Sequence, residues 1–178
     1  YHLSLQSGCN NTLRRMKRQY TAEEYESALK KLRAAFPNVA VTTDMIVGFP
    51  GETEEDFLES YNFAKKVKIT KIHAFPYSPK KGTKAALFEN QLSNDTKNKR
   101  NKQMIELSNN LNIQFLESML NKTMPVLFER EKEPGIYEGH TTNYINVCVK
   151  SDKNIINQIL NVKLTQIIKE ENMTGIIC

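Results

Sequence analysis

The segment that most restricts the fold is Val39 to Gly48, a nearly continuous apolar and β-branched run reading Val-Ala-Val-Thr-Thr-Asp-Met-Ile-Val-Gly. A strand written this way needs cover on both faces, which helices packed on a parallel sheet provide. The flanks supply those helices. Upstream, Thr21 and Glu24 stand at capping-box spacing, and Tyr25, Ala28, Leu29, Leu32 and Phe36 recur at helical period until Pro37 stops the helix. Downstream, Phe49-Pro50-Gly51-Glu52 turns the chain. Thr53 then caps a helix whose first turn holds Glu54, Glu55 and Asp56, carboxylates that favour the positive end of its dipole.

The same strand-then-helix unit occurs on either side. A first strand is expected at about Tyr1 to Gln6, followed by a short helix over Thr12 to Arg18. A third strand is expected at about Ile69 to Tyr77. It ends in the basic, turn-rich loop Ser78-Pro-Lys-Lys-Gly-Thr83, and a long helix follows from about Asn94 to Leu120, with Met104, Leu107, Leu111, Phe115 and Met119 on one stripe. Alternating strands and helices imply an α/β fold with a parallel sheet. Three such units are half a barrel at most, and so small a sheet would leave an apolar strand edge open. The missing strands are therefore expected before Tyr1, and the open edge is a possible dimer contact. The chain begins without Met and inside a strand-like run, so a fragment with no signal peptide is expected.

From Asn121 the style changes. Met124 to Phe128, Tyr144 to Val149, Val162 to Ile168 and Gly175 to Cys178 are short β-rich runs, and Lys132-Glu-Pro-Gly135 is a hairpin signal. This spacing suggests a small antiparallel barrel of about five strands, of the oligonucleotide-binding kind. The expected domains are thus residues 1–120 and 121–178.

Composition narrows function only modestly. Lys plus Arg total 25 against 20 Asp plus Glu, a net charge of +5, which favours a polyanionic partner without requiring one. Cys9, Cys148 and Cys178 are few and scattered, excluding a disulfide framework or a Cys-x-x-Cys metal site within the chain. A reducing, cytoplasmic setting fits. No stretch reaches the roughly 20 apolar residues of a membrane span.

In parallel α/β proteins ligands gather at the C-terminal ends of strands. Three places qualify: Gln6-Ser7-Gly8, Asp44 to Glu52, and His73 to Ser78. Gly48-Phe-Pro-Gly51 before a helix permits close backbone approach to a ligand, yet it lacks the Lys and Ser or Thr of a phosphate loop. Asp44, a carboxylate in an apolar strand, must face something polar, either a ligand hydroxyl or a structural network. Gln6 and Arg18 carry the same ambiguity, since Arg14, Arg15, Lys17 and Arg18 also suit a solvated basic face. His2, His73 and His140 show no metal-ligand spacing and read as packing or hydrogen-bonding residues. No nucleophile–base pair or hydrolase motif is present, so no catalytic residue and no metal ligand is assigned.

Taken together, His2-Leu-Ser-Leu-Gln-Ser-Gly8, Arg15-Met-Lys-Arg18 with Tyr20-Thr21, Thr43-Asp-Met-Ile-Val-Gly-Phe-Pro-Gly-Glu-Thr53, and Ile72-His-Ala-Phe-Pro-Tyr-Ser78 with Gly82-Thr83 resemble the methylthiotransferase branch of the radical-SAM enzymes. The tail, with Tyr137-Glu-Gly-His-Thr-Thr-Asn-Tyr-Ile145, is similar to the TRAM domain of those enzymes. Within the branch, Ser4-Leu-Gln-Ser-Gly-Cys9 and Lys71-Ile-His-Ala-Phe-Pro-Tyr-Ser78 most resemble enzymes acting on threonylcarbamoyladenosine in tRNA. The resemblance implies the second half of a partial (β/α) barrel. Such a barrel binds S-adenosylmethionine over a 4Fe–4S cluster, with a second cluster in a preceding domain. The ligands of both clusters lie outside this chain, so the fragment alone is expected to be inactive.

By motif position, the resemblance implies that Gln6, with Ser7 beside it, and Arg18 approach the amino-acid end of S-adenosylmethionine. Asp44 would accept from a ribose hydroxyl or the ammonium, and Ile46 to Gly48, Phe75 and Tyr77 would flank the adenine. Glu52 would do no more than fix the turn. In the tail, Lys122, Arg130, Lys150 and Lys163 would meet tRNA phosphates, while His140, Asn143 and Tyr144 would stack on or edge-contact bases. Two rival readings remain: a non-catalytic RNA-binding module, and a radical-SAM methylthiotransferase acting on a ribosomal protein or on isopentenyladenosine in tRNA.

Overall fold

A computed structural model describes residues 1–168 and 172–178. It divides into two compact units, Tyr1–Leu111 and Asn112–Cys178. Among the described residues no helix is long and apolar enough to cross a membrane.

The first unit is built from helices α1 (Asn10–Arg15), α2 (Ala22–Ala35) and α3 (Glu54–Lys66), strands β1 (Thr42–Val47) and β2 (Lys71–Pro76), and the N-terminal part of α4 (Asn94–Met119). Both α2 and α3 open with full capping boxes, Thr21 with Glu24 and Thr53 with Asp56. Strands β1 and β2 pair in parallel from Thr42↔Lys71 to Val47↔Pro76. One face of β1 carries Thr43, Met45 and Val47, all buried. They belong to a core with Leu5, Leu29, Phe57, Ile69, Ile72, Met104 and Leu107. The other face carries Thr42, Asp44 and Ile46, half-buried, beside the exposed His73 and Phe75 of β2.

The first expected strand requires correction. Tyr1 to Gln6 lies alongside β1 but makes only two isolated parallel bridges, His2↔Thr42 and Gln6↔Met45. Between them the Thr43 side chain takes over the ladder: its hydroxyl accepts from the Leu5 N–H at 2.8 Å and donates to the Leu3 carbonyl at 2.7 Å. Gln6 then leaves extended geometry at φ 67°. A side-chain hydroxyl has replaced a backbone rung, so the segment is paired without being a regular strand.

The second unit holds a closed five-stranded barrel: β3 (Thr123–Glu133), β4 (Ile136–Thr141), β5 (Asn146–Lys150), β6 (Ile159–Ile168) and β7 (Asn172–Ile177), in spatial order β3-β4-β5-β7-β6. Val126, Phe128, Tyr137, Val147, Val149, Val162, Leu164 and Met173 fill it, with Leu116 and Met119. Two corrections apply here. The barrel is not wholly antiparallel, because β5 and β7 run parallel from Asn146↔Asn172 to Cys148↔Thr174. Strand direction cannot alternate all the way round a closed ring of odd number, so one neighbouring pair must be parallel. Tyr144 also lies outside any strand. It occupies a turn at φ 66°, its N–H donating to the Thr141 carbonyl, and β5 begins only at Asn146.

Candidate functional site

In the first unit a groove of about 440 Å³ opens among Arg15, Met16, Lys17, Arg18, Ile46, Phe49, Lys84, Ala85 and Phe88. Its floor is apolar (Met16, Ile46, Phe49, Phe88) and its rim cationic. The floor is set by the Gly48–Glu52 turn. Gly48 adopts φ 71°, and a Cβ there would fall 2.5 Å from the Lys97 Cγ, so the position requires glycine twice over. The Gly48 N–H donates to the Glu52 carboxylate at 2.6 Å, and Arg100 of α4 donates to the same oxygen at 2.7 Å and to the Glu52 carbonyl at 3.1 Å. Burial pushes the Glu52 carboxyl above its ordinary range, and these donors recover only part of the shift.

The residues expected to meet the cofactor fall into four positions. Gln6, Asp44, Ile46 and Phe75 are register neighbours: the Gln6 N–H donates to the Asp44 carbonyl, the Gln6 carbonyl accepts from the Ile46 N–H, and Ile46 pairs with Phe75. Arg18 meets Ile46 at the groove. Gly48 and Tyr77 follow directly on β1 and β2, the Tyr77 ring lying 5.1 Å from Phe49, with its hydroxyl buried and unpartnered. Ser7 is turned elsewhere; it is fully buried and its hydroxyl donates to the Ser60 hydroxyl at 3.3 Å. Asp44 has a partner, since its carboxylate lies 3.3 Å from the His2 Nε2, and the His2 ring lies 6.2 Å from His73.

The groove therefore suits an elongated molecule with a flat aromatic part against Ile46 and Phe49 and a carboxylate at Arg18. S-adenosylmethionine has this character, and the buried, unpartnered Tyr77 hydroxyl and Arg15 Nε beside the floor are polar atoms such a ligand could satisfy. An iron–sulfur cluster is a different matter. Cys9 is buried, donates its S–H to Asp56 at 3.2 Å, and has its thiol pushed up to about 11 by burial. Cys148 and Cys178 belong to the other unit. The thiols present do not fit a cluster. Cys9, Asp56 and Glu59 form the single carboxylate–thiol group with metal-like spacing among the described residues. Arg15 already occupies Asp56 at 2.6 Å, and a protonated thiol is a poor ligand.

Sequence reasoning missed Phe49, Lys84 and Phe88 on the groove, and Lys97 and Arg100 behind it. The last two carried a signal. They continue the Met104–Leu107–Leu111 stripe toward the helix N-terminus as buried charges where apolar residues are due.

On the barrel, alternation places Arg130, His140 and Lys150 on the outer face of the β3 end, β4 and β5: Arg130 pairs with Glu138 in register, His140 with Asn146, and Lys150 with Ile136. Glu138, which the sequence did not single out, is buried there. The Asn146 amide first, then Arg130, hold its carboxyl below the usual range. His140 Nδ1 lies 2.6 Å from the Glu129 carboxylate and its ring 6.0 Å from Tyr144, which is 87 % exposed. The Asn143 amide points at the Met119 sulfur, 3.8 Å away. Lys163 stands apart from this group, paired in register with Thr123 at the start of β3, next to Lys122.

Residues 1–64 match the radical SAM superfamily model. A threonylcarbamoyladenosine tRNA methylthiotransferase of Bacillus subtilis is 41 % identical over 92 % of this chain and 37 % of its own length. A tRNA-2-methylthio-N(6)-dimethylallyladenosine synthase of Caldicellulosiruptor saccharolyticus is 37 % identical over 93 % of the chain and 35 % of its own. Another of that name, from Ehrlichia ruminantium, is 36 % identical over 99 % and 40 %. The chain thus spans between a third and two fifths of the length of these relatives; its residues 1–64 match the radical SAM superfamily, and over most of its length it is similar to tRNA methylthiotransferases.

Proposed function

We propose that this chain is part of an enzyme that adds a methylthio group to the 2-position of threonylcarbamoyladenosine in tRNA. In this reading residues 1–120 are the later half of a radical-SAM partial barrel, and residues 121–178 are a TRAM domain that holds RNA. The groove carries the proposal, because Arg18, Ile46 and Phe49 converge there from separate segments. Arg18 would bind the carboxylate of S-adenosylmethionine through its planar fork, Ile46 and Phe49 would pack the adenine, and Asp44 would accept from the ribose or ammonium. The bound S-adenosylmethionine, with iron–sulfur clusters held by the rest of the protein, supplies the radical and methyl-transfer chemistry. This chain's residues bind and orient it.

The five-stranded barrel order and the outward Arg130, His140 and Lys150 support the RNA-holding role, as expected for barrels of the oligonucleotide-binding type. The threonylcarbamoyl substrate is favoured by the relative at 41 % identity, whereas two others act, by name, on the dimethylallyl form. A cytoplasmic setting, the missing N-terminal portion as partner, and an edge-to-edge dimer belong to the same proposal. Nucleoside mass spectrometry on tRNA from cells lacking the gene tests it. Loss of methylthio-threonylcarbamoyladenosine with accumulation of its precursor is expected. Persistence of every methylthio-adenosine would overturn the tRNA reading and make a ribosomal protein the substrate to test.

A further inference from the structure

The groove's rim has a charge pattern that the cofactor does not explain. No Asp or Glu precedes Glu23, and none lies between Glu59 and Glu89. The first gap contains Arg14, Arg15, Lys17 and Arg18; the second contains Lys80, Lys81 and Lys84. The fold brings the two gaps together, because Lys17, Arg18 and Lys84 line one groove. Where a carboxylate is at hand in this unit it takes a cation: Asp56 pairs with Arg15, Glu26 with Lys30 and Lys66, and Glu52 and Glu54 with Arg100, but none is supplied by either gap. Among the described residues Lys17, Arg18, Lys80, Lys81 and Lys84 have no ion-pair partner. One amino-acid carboxylate at Arg18 leaves four of these positive charges unmatched.

The loop that carries three of them is braced. Thr83 binds the Lys80 carbonyl through both its N–H, at 3.1 Å, and its hydroxyl, at 2.8 Å. The Gln91 amide donates to the Ala85 and Phe88 carbonyls. The Gly51 N–H donates to the Asn90 carbonyl at 3.0 Å, and Phe88 meets Phe49 edge-on at 6.2 Å. The loop therefore presents its lysines, together with Leu87 at 86 % exposure, from a fixed position. Its ordering cost has been met before any partner arrives.

We infer that the Lys80–Phe88 loop, with Lys17, is a second RNA contact, separate from the barrel, that grips the phosphate backbone of a single-stranded RNA loop. The inference rests on the tRNA reading above. A base can be held over the groove only if its own flanking phosphates cross the rim, and the rim offers unpaired cations beside an apolar and aromatic surface, the pairing that single-stranded RNA uses.

The test is fluorescence anisotropy of the 178-residue chain with a labelled RNA hairpin bearing a single-stranded loop, titrated over a range of salt. The triple variant K80Q/K81Q/K84Q removes three exposed charges and is expected to weaken binding about tenfold. It should also flatten the slope of log affinity against log salt by about 2, three contacts at roughly 0.7 each for single strands. A control, K31Q/K65Q/K102Q, removes the same charge elsewhere on the unit and should change binding little. Equal loss in both triples reduces the effect to net charge and overturns the inference. If the loop triple binds normally while R130Q/K150Q does not, the inference fails and the RNA reading survives. If the unsubstituted chain shows no salt-dependent RNA binding, both fail. Equal competition by an acidic peptide overturns the assignment to RNA.

Discussion

Glu52 and Arg100, forty-eight residues apart, form a buried ion pair at 2.7 Å in which both side chains are almost wholly enclosed. Its second purpose is the turn, because the same carboxylate oxygen receives the Gly48 N–H. Arg100 is also bonded to Glu54 and stacked 5.3 Å from the Phe57 ring.

Arg100→Met should leave Glu52 buried without a counter-charge and destabilise the chain by about 3–5 kcal/mol, whereas R100M/E52Q should recover much of that loss. Guanidinium denaturation of both variants decides the point. A loss under about 1 kcal/mol in the single variant would mean that the pair is not what holds the turn.

Acid should weaken the first unit through Asp56. Burial by itself raises this carboxyl. Hydrogen bonds from Arg15, Cys9 and the Thr53 backbone, together with the Arg15 charge, outweigh it and hold the pKa at about 2. A folded pKa below the unfolded value near 4 gives stability that is complete above about pH 4 and disappears as pH falls toward 2, about 2 kcal/mol in all. Asp56→Asn should remove that part of the pH dependence. An unchanged acid transition in the variant would assign it to other groups.

Thiol reactivity should be confined to one site. Burial pushes both Cys9 and Cys148 upward, Cys9 to about 11, and both are enclosed, while Cys178 is exposed. Alkylation of the native chain followed by peptide mass spectrometry should find Cys178 modified within minutes and the other two only after unfolding. Rapid labelling of Cys9 in the folded chain would contradict its burial against Asp56.

Gly139 on β4 has no room for a side chain, since a Cβ would lie 2.2 Å from the Leu127 carbonyl oxygen on β3. Gly139→Ala should force β3 and β4 apart and lower stability by roughly 1–3 kcal/mol or more. Thermal melting should show it, and a melting temperature equal to that of the parent chain would mean that β3 relaxes freely.

Much of the fold can be read from neighbouring residues alone. The Thr21–Glu24 capping box, the Thr53 cap with its acidic first turn and the α4 stripe involve contacts three or four residues apart. The same holds for the β-branched and apolar run of β1, although only its Thr43–Met45–Val47 face is fully covered while Thr42, Asp44 and Ile46 stay half-buried. The hairpin signal at Lys132–Gly135 and the β-rich tail likewise announced a small barrel. Gln6, Asp44 and Ile46, singled out from motif position, are register neighbours, because motif order along the chain and strand pairing coincide there.

What the tertiary structure alone decided depends on which distant groups meet once the chain closes. The Thr43 hydroxyl displaces a rung and denies Tyr1–Gln6 a regular strand. An odd strand number forces the β5–β7 pair to run parallel. Lys97 and Arg100 look like breaks in a helix stripe until Gly48 and Glu52 arrive beneath them. Lys84 is one charge in a polar loop until that loop is braced beside Arg18. Local order follows from short-range sterics and hydrogen bonds that adjacent residues specify. The worth of a buried charge or an unmatched cation depends on partners that only long-range packing supplies.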